Sequence, residues 1–299
     1  MKKTFSFICA LITTFIWGTA FVAQDTGMDN IGPLTFNTSR FITGFLFMLP
    51  IAILVERKKI IKEIKPNLKI FLKLWLLMGT SLFFGTYLQQ ASLLYTNIAN
   101  AAFFTVFYVP FVPILLFIIY SKKVHPSIWF SVGLCILGVY LLSDFSNSKI
   151  MLGDGLVILC SIFWAYHIIF TGEFVKIFNI PLFYAALQAA FVGFFSLIFA
   201  LIFEEIVIYK ILLESSSILY AGIFSGAIAF TLQIYAQKNI DEAPVAIIYS
   251  LEGVFAAIAA WIILNQILGI SNIFGCILIL LAVLISQLIP NLKTKHKQQ

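Results

Sequence analysis

Hydrophobic positions in this chain gather into ten apolar blocks divided by short polar connections, at approximately 5–24, 33–55, 70–92, 97–120, 126–143, 153–173, 182–204, 216–237, 243–264 and 271–290. Each block is near the roughly 20 residues that an α-helix needs to cross the ~30 Å hydrocarbon core of a bilayer. The pattern predicts ten transmembrane helices. Pro33, Pro126, Pro181 and Pro244 stand at or beside block starts, where a missing backbone N–H costs least.

Composition agrees. The 299 residues are 61% hydrophobic and 11% charged, with mean hydropathy +1.03, more apolar surface than a soluble chain can bury. The net charge of +6 does not point to nucleic acid, since sixteen of the nineteen Lys and Arg residues fall in alternate connections, from Lys2 and Lys3 through Lys59, Lys122, Lys176 and Lys238 to Lys297. Only Lys149 and Lys210 lie on the other side, so both termini are expected in the cytoplasm and the span number is expected to be even. The basic 56–69 connection reads as an orientation anchor, or as a short surface helix on anionic lipid. Cys9, Cys135, Cys160 and Cys276 all sit in apolar blocks without metal spacing and read as packing thiols. The first block is long for a signal core and lacks a small-residue cleavage site after it, so it reads as an uncleaved span.

A weak internal repeat runs through the blocks. Leu88-Gln89-Gln90 with Asn97-Ile98-Ala99-Asn100-Ala101-Ala102 recurs as Leu232-Gln233-Ile234 with Asp241-Glu242-Ala243-Pro244-Val245-Ala246, at an offset of 144. Phe15-Ile16-Trp17 is echoed by Ile162-Phe163-Trp164 at an offset of 147. Five spans per half is an odd number, so the second half enters the membrane from the opposite side. The expected fold is therefore all-α integral membrane, ten transmembrane helices as two inverted five-helix repeats, 1–144 and 151–290, with a basic cytoplasmic tail 291–299. Such halves are characteristic of secondary transporters, whose substrate site lies between them near the midplane.

Glu252 is the acidic residue placed deepest in a block. By helix rise it lies roughly 14 Å from the start of its span, where a carboxylate costs on the order of 2.5–3.5 kcal/mol and needs a partner, a wet cavity or a proton. Tyr249, Ala256 and Ala259 share its face, and Gly253, Ala257 and Ala260 form a neighbouring small-residue stripe for close helix approach. The repeat sets Tyr108 opposite Glu252, near Asn100, Thr105, Pro110 and Pro113; the prolines are expected to bend a cavity-lining helix. Arg40, about 10 Å inside the second span, has two routes open: pairing with Glu252, or snorkelling outward onto carbonyls. Trp17 and Trp164 are mid-span, as an aromatic wall or as packing. His167, one turn beyond Trp164, is a candidate proton shuttle or a structural, carbonyl-bonded histidine. Gln89, Gln90, Gln188, Gln233 and Gln237 are uncharged lining candidates, and Gly222-x-x-x-Gly226 is a helix-contact motif.

No Walker loop, zincin motif or nucleophile elbow occurs, so neither ATP nor a cofactor is expected. A membrane-embedded enzyme on lipid-linked substrates would have to use the Asp25/Asp29 pair, which reads instead as solvated loop carboxylates. The expected partners are a small-molecule substrate and the lipid bilayer, with a proton as the candidate coupling ion and no nucleic acid.

Phe15-Ile16-Trp17-Gly18-Thr19-Ala20-Phe21-Val22, Ile31-Gly32-Pro33-Leu34, Asn37-x-x-Arg40-Phe41 and Tyr249-Ser250-Leu251-Glu252 together resemble the EamA-type branch of the drug/metabolite transporter superfamily, over about residues 5–290. The resemblance implies a plasma-membrane permease with a cavity between two five-helix halves and alternating access without ATP. It implies small organic substrates, amino acids exported above all, or vitamins and nucleotide-like compounds imported. Trp17, Arg40 and Glu252 match the family's motifs; Tyr108, Trp164, His167 and Gln89 come from spacing alone, and Tyr249 shares the face of Glu252. The family often has proline after the glutamate where Gly253 stands here, which weakens the case for a helix break at that point but not for the carboxylate.

Overall fold

The structure, a computed structural model, describes residues 3–96, 98–142, 151–264 and 269–296. Lys2, Asn97, Lys149 and Lys297 lie outside the described residues, as do the repeat junction at 143–150 and the tail's end at 297–299. Among the described residues every regular element is helical. The order is α1 (Lys3–Thr26), α2 (Pro33–Ile64), a 3-10 turn (Lys65–Asn67), α3 (Leu68–Ser92), α4 (Ile98–Thr105), α5 (Tyr108–Tyr120) and α6 (Pro126–Leu142). Then come α7 (Leu152–Ile177), α8 (Pro181–Phe203), α9 (Ile208–Leu213), α10 (Ser215–Leu219), a π-helical segment (Tyr220–Ala229), α11 (Phe230–Gln237), α12 (Glu242–Tyr249), α13 (Leu251–Leu264) and α14 (Ile270–His296).

All ten expected blocks fall on helix. Eight described stretches are long and apolar enough to cross a membrane; one of them, Pro33–Ser92, has 60 residues and turns at the 3-10 element, so it is long enough for two passes. Pro126–Leu142, with 17 residues, is apolar but shorter than a usual span. The surface is apolar, with Leu54, Leu152, Phe203 and Ile208 each more than 70% exposed, while Gln24, Asn37, Arg40, Gln89, His167, Gln233 and Glu252 are buried. That inversion is what a lipid solvent demands: apolar side chains outward, polar groups satisfied inside.

Three expected spans are interrupted rather than continuous. The fourth breaks at Val106-Phe107 between α4 and α5, and the ninth at Ser250 between α12 and α13. The eighth passes through ten residues of π-helix. At the first break, Pro110 lacks the N–H that would bond the Val106 carbonyl, and its ring crowds that carbonyl. At the second, the Ser250 hydroxyl donates to the Ile247 carbonyl at 2.6 Å, and Gly253 N–H reaches only to the Ser250 carbonyl, three residues back, at 3.3 Å. The break comes without proline and stands before Glu252, not after it.

The packing is reciprocal. α2 lies against α8. The Glu204 carboxylate, just past α8, accepts from the Leu34 and Thr35 N–H groups that open α2, at 2.9 and 2.8 Å. The Glu56 carboxylate of α2 accepts in turn from the Leu182 and Phe183 N–H groups that open α8, at 3.3 and 2.9 Å. Pro33 and Pro181, and Glu56 and Glu204, are each 148 residues apart. α3 packs on α7, while α1 packs on the π segment and α11; α6 packs on α14, where Gly138 and Gly275 each face the other's carbonyl oxygen. Finally α4 and α5 pack on α7, and α12 and α13 on α1.

One end of this bundle is basic. There Lys122 Nζ lies 2.7 Å from Glu242 Oε2, and Lys176 Nζ lies 3.1 Å from Glu242 Oε1 and 2.6 Å from Glu173 Oε1.

Candidate functional site

The two broken helices bring their discontinuities together in the bundle's interior. Tyr108 opens α5 and Glu252 is the second residue of α13, positions 144 apart in the repeat. The Tyr108 hydroxyl donates to Glu252 Oε1 at 3.1 Å, and both residues are buried. Gly18 lets α1 approach the α13 backbone at this point: a Cβ there would lie 2.6 Å from the Glu252 carbonyl oxygen and 2.9 Å from Ala256 N. The close helix approach therefore runs through Gly18. Gly253, expected to serve it, meets only Leu142 of α6, at 3.5 Å from an added Cβ.

Around Tyr108 and Glu252 lies a cavity that takes in about 600 Å³ of atom-free space, the open solvent at its mouth included. Trp17, Arg40, Gln89, Tyr108, Trp164, Tyr249 and Glu252 all line it. His167 does not. It lies behind the wall, wholly buried, with Nε2 2.7 Å from Gln188 Oε1 and Nδ1 3.4 Å from Gln233 Nε2. Its partners are thus two amide side chains rather than a backbone carbonyl.

Arg40 takes neither of its two expected routes. Among the described residues no ion pair joins it to Glu252, and it is only 3% exposed. Its Nε donates to Asn37 Oδ1 one turn back at 2.9 Å, and its guanidinium lies 4.9 Å from the Phe41 ring centroid. A side-chain amide and an aromatic face together hold the cation in place without a carboxylate. Its backbone is pinned as well, because an added Cβ at Gly222 of the π segment would lie 2.5 Å from the Arg40 carbonyl oxygen. The Gly222/Gly226 pair thus packs on α2. The cavity holds a fixed cation and a fixed carboxyl that do not neutralise each other directly.

Aromatic rings form one wall. Trp17 sits 5.4 Å from Tyr249, 5.3 Å from Phe230 and 6.2 Å from Trp164, and Phe230 stacks on Trp164 with 10° between planes. Gln89 Nε2 donates to Thr105 Oγ1 at 3.2 Å. Three buried polar atoms of lining residues have no partner among the described residues: Trp164 Nε1, Tyr249 Oη and Gln233 Oε1. Each costs about 1–3 kcal/mol when left unsatisfied. Phe21, Gln24, Phe41, Thr86, Ser225 and Phe230 also line the cavity and escaped the sequence reading. Gln24 and Thr86, as polar residues inside apolar blocks, carried the same signal as Gln89. Phe230 carried none among 32 phenylalanines. Asp25 and Asp29 are not among the lining residues.

An all-helical, multi-pass membrane protein with a polar interior cavity is the class these features define. The EamA-like transporter family model matches residues 4–144 and again 151–288, and the chain belongs to that family. It is a family of transporters, not of enzymes. An uncharacterized transporter from Archaeoglobus fulgidus is 30% identical over 296 residues, covering 96% of this chain and 87% of that one. A solved crystal structure, 12% identical, superposes with a TM-score of 0.77 over 96% of this chain and 98% of its own, a likeness of fold.

Proposed function

We propose that this chain is a secondary active permease of the plasma membrane that exports small amphoteric metabolites, amino acids or related compounds, by alternating access between two inverted halves, 1–144 and 151–290. The observation that carries the reading is the cavity between Arg40 and Glu252. A substrate carboxylate meets the Arg40 guanidinium, and its ammonium, or a transported proton, meets Glu252. Trp17 and Trp164 pack on the substrate's apolar surface, while Tyr108 orients the Glu252 carboxyl.

The inverted arrangement is supported by the reciprocal contacts. Under a pseudo-two-fold axis in the membrane plane, contact i–j implies its counterpart j–i, as between Glu56 with α8 and Glu204 with α2. The lysine distribution supports placing the basic end, and both termini, in the cytoplasm. The Trp17, Trp164, Phe230 and Tyr249 wall favours a second reading: import of planar, vitamin-like or nucleotide-like compounds.

Metabolite profiling of cells and medium, with wild type, Glu252→Gln and empty vector at matched expression, separates these. Export enriches an amino acid in the medium with wild type alone. Uptake depletes a planar compound instead. If Glu252→Gln transports as well as wild type, Glu252 leaves the mechanism.

A further inference from the structure

His167 is buried in the membrane interior, is polar, and stays out of the cavity, so its surroundings must say what it is for. Its two ring nitrogens meet two amides. Nε2 is 2.7 Å from Gln188 Oε1, an oxygen that can only accept, so Nε2 carries the proton. The neutral ring then leaves Nδ1 as an acceptor, and Gln233 Nε2 lies 3.4 Å away to donate to it. Phe230 and Trp164 hold the ring edge-on, with centroids 5.6 and 5.9 Å away. Gln233 is the member of this chain that reaches the cavity, and it is fully buried. With its Nε2 turned back to His167, the amide atom left without a partner among the described residues is Oε1, itself buried on a side chain that lines the cavity.

We propose that His167 is a positioning residue: donating to Gln188 and accepting from Gln233, it fixes the Gln233 amide so that Oε1 accepts a hydrogen bond from an N–H or O–H group of the substrate. The device selects for a donor on the substrate. An amide free to flip would offer a donor and an acceptor equally, so the locked tautomer is what carries the selectivity. This inference rests on the cavity being the substrate site, but the state of the ring can be read without transport.

The first measurement is 15N NMR of protein labelled at histidine, with the His167 signals assigned by their loss in His167→Phe. The expected spectrum shows Nε2 protonated and Nδ1 bare. The opposite tautomer, or an imidazolium, overturns the proposal. The second is transport kinetics in liposomes, with the substrate found by metabolite profiling. His167→Phe and Gln233→Leu each raise KM about tenfold, the effect of one hydrogen bond, with kcat within about twofold. The double variant is no worse than the worse single, and His167→Gln, whose amide also donates and accepts, restores KM. Effects that add in the double variant, or a loss of kcat at unchanged KM as a proton shuttle would show, overturn it. Intact transport by Glu252→Gln would instead count against the reading of the site, leaving the tautomer result to stand alone.

Discussion

Gly18 shows how one hydrogen atom in place of a methyl group sets the geometry of the site. A Cβ there would lie 2.6 Å from the Glu252 carbonyl oxygen and 2.9 Å from both Ala256 N and Phe255 Cβ. Two of these are backbone atoms and the third is fixed to the backbone, so no rotamer change relieves the clash. Gly18→Ala is expected to push α1 off α13 and to destabilise the protein by about 1–3 kcal/mol, as overpacking does. Thermal unfolding in detergent measures it, with Gly133→Ala, whose added Cβ meets nothing within 4 Å, as the control that melts like wild type. The sequence made Glu252 conspicuous because a carboxylate deep in an apolar block is costly. It did not make Gly18 conspicuous, and it favoured Gly253, because small residues are legible while the helix each one faces is not. The same limit explains the two routes offered for Arg40: Asn37, three residues away, was in view, yet nothing in the chain said that its oxygen would turn to the guanidinium.

At the scale of elements, the ten helical blocks and their proline starts could be read directly, since apolar length and a missing N–H are local properties. The break at Val106-Phe107 was legible in part, since Pro110 and Pro113 announced a bend without fixing its place; the break at Ser250 was not, because no proline marks it. Nor were the caps, whose partners are remote in the chain: α2 opens on Glu204 and α8 on Glu56. Each carboxylate satisfies two N–H groups at the positive end of a helix dipole. Glu204→Ala and Glu56→Ala should each lower stability by about 1 kcal/mol, typical of a lost cap. The 23 residues of α8 separate the two sites by roughly 34 Å along its axis. The double variant should therefore show the sum of the two effects to within about 0.5 kcal/mol. Melting temperatures of the three variants decide it. A double variant well short of the sum would mean that the two ends of the α2–α8 pair loosen together.

For the molecule as a whole, the proposed alternating access would require one end to stay sealed while the other opens, and the contacts at the two ends differ in chemistry. At the end away from the lysines, the bridging contacts are hydroxyls, amides and carboxylates, such as Thr26 with Ser217 and Asn30 with Glu214. At the basic end, Glu242, 3% exposed at its side chain, holds Lys122 just past α5 and Lys176 of α7. Glu242 also opens α12, whose break at Ser250 leads to Glu252, so the seal and the cavity lie on one discontinuous span. Under the proposed mechanism, opening toward the basic end would pull Glu242 from both lysines. Because the lysine side chains are 39% and 49% exposed, the pairs are partly screened, and losing them is worth about 1 kcal/mol, several-fold in the population of the open state. In a variant with the four cysteines replaced and one cysteine placed at Ala243, a buried position beside the seal, Glu242→Gln should speed labelling by a membrane-impermeant maleimide several-fold from the basic side. Lys122→Met should act the same way. Exchanging the charges, Lys122→Glu with Glu242→Lys, should restore only part of the slow rate, since Lys176 keeps Glu173 but faces a lysine in place of Glu242. Equal labelling rates in wild type and Glu242→Gln would show that these ion pairs ride on a seal made by the packed helices themselves.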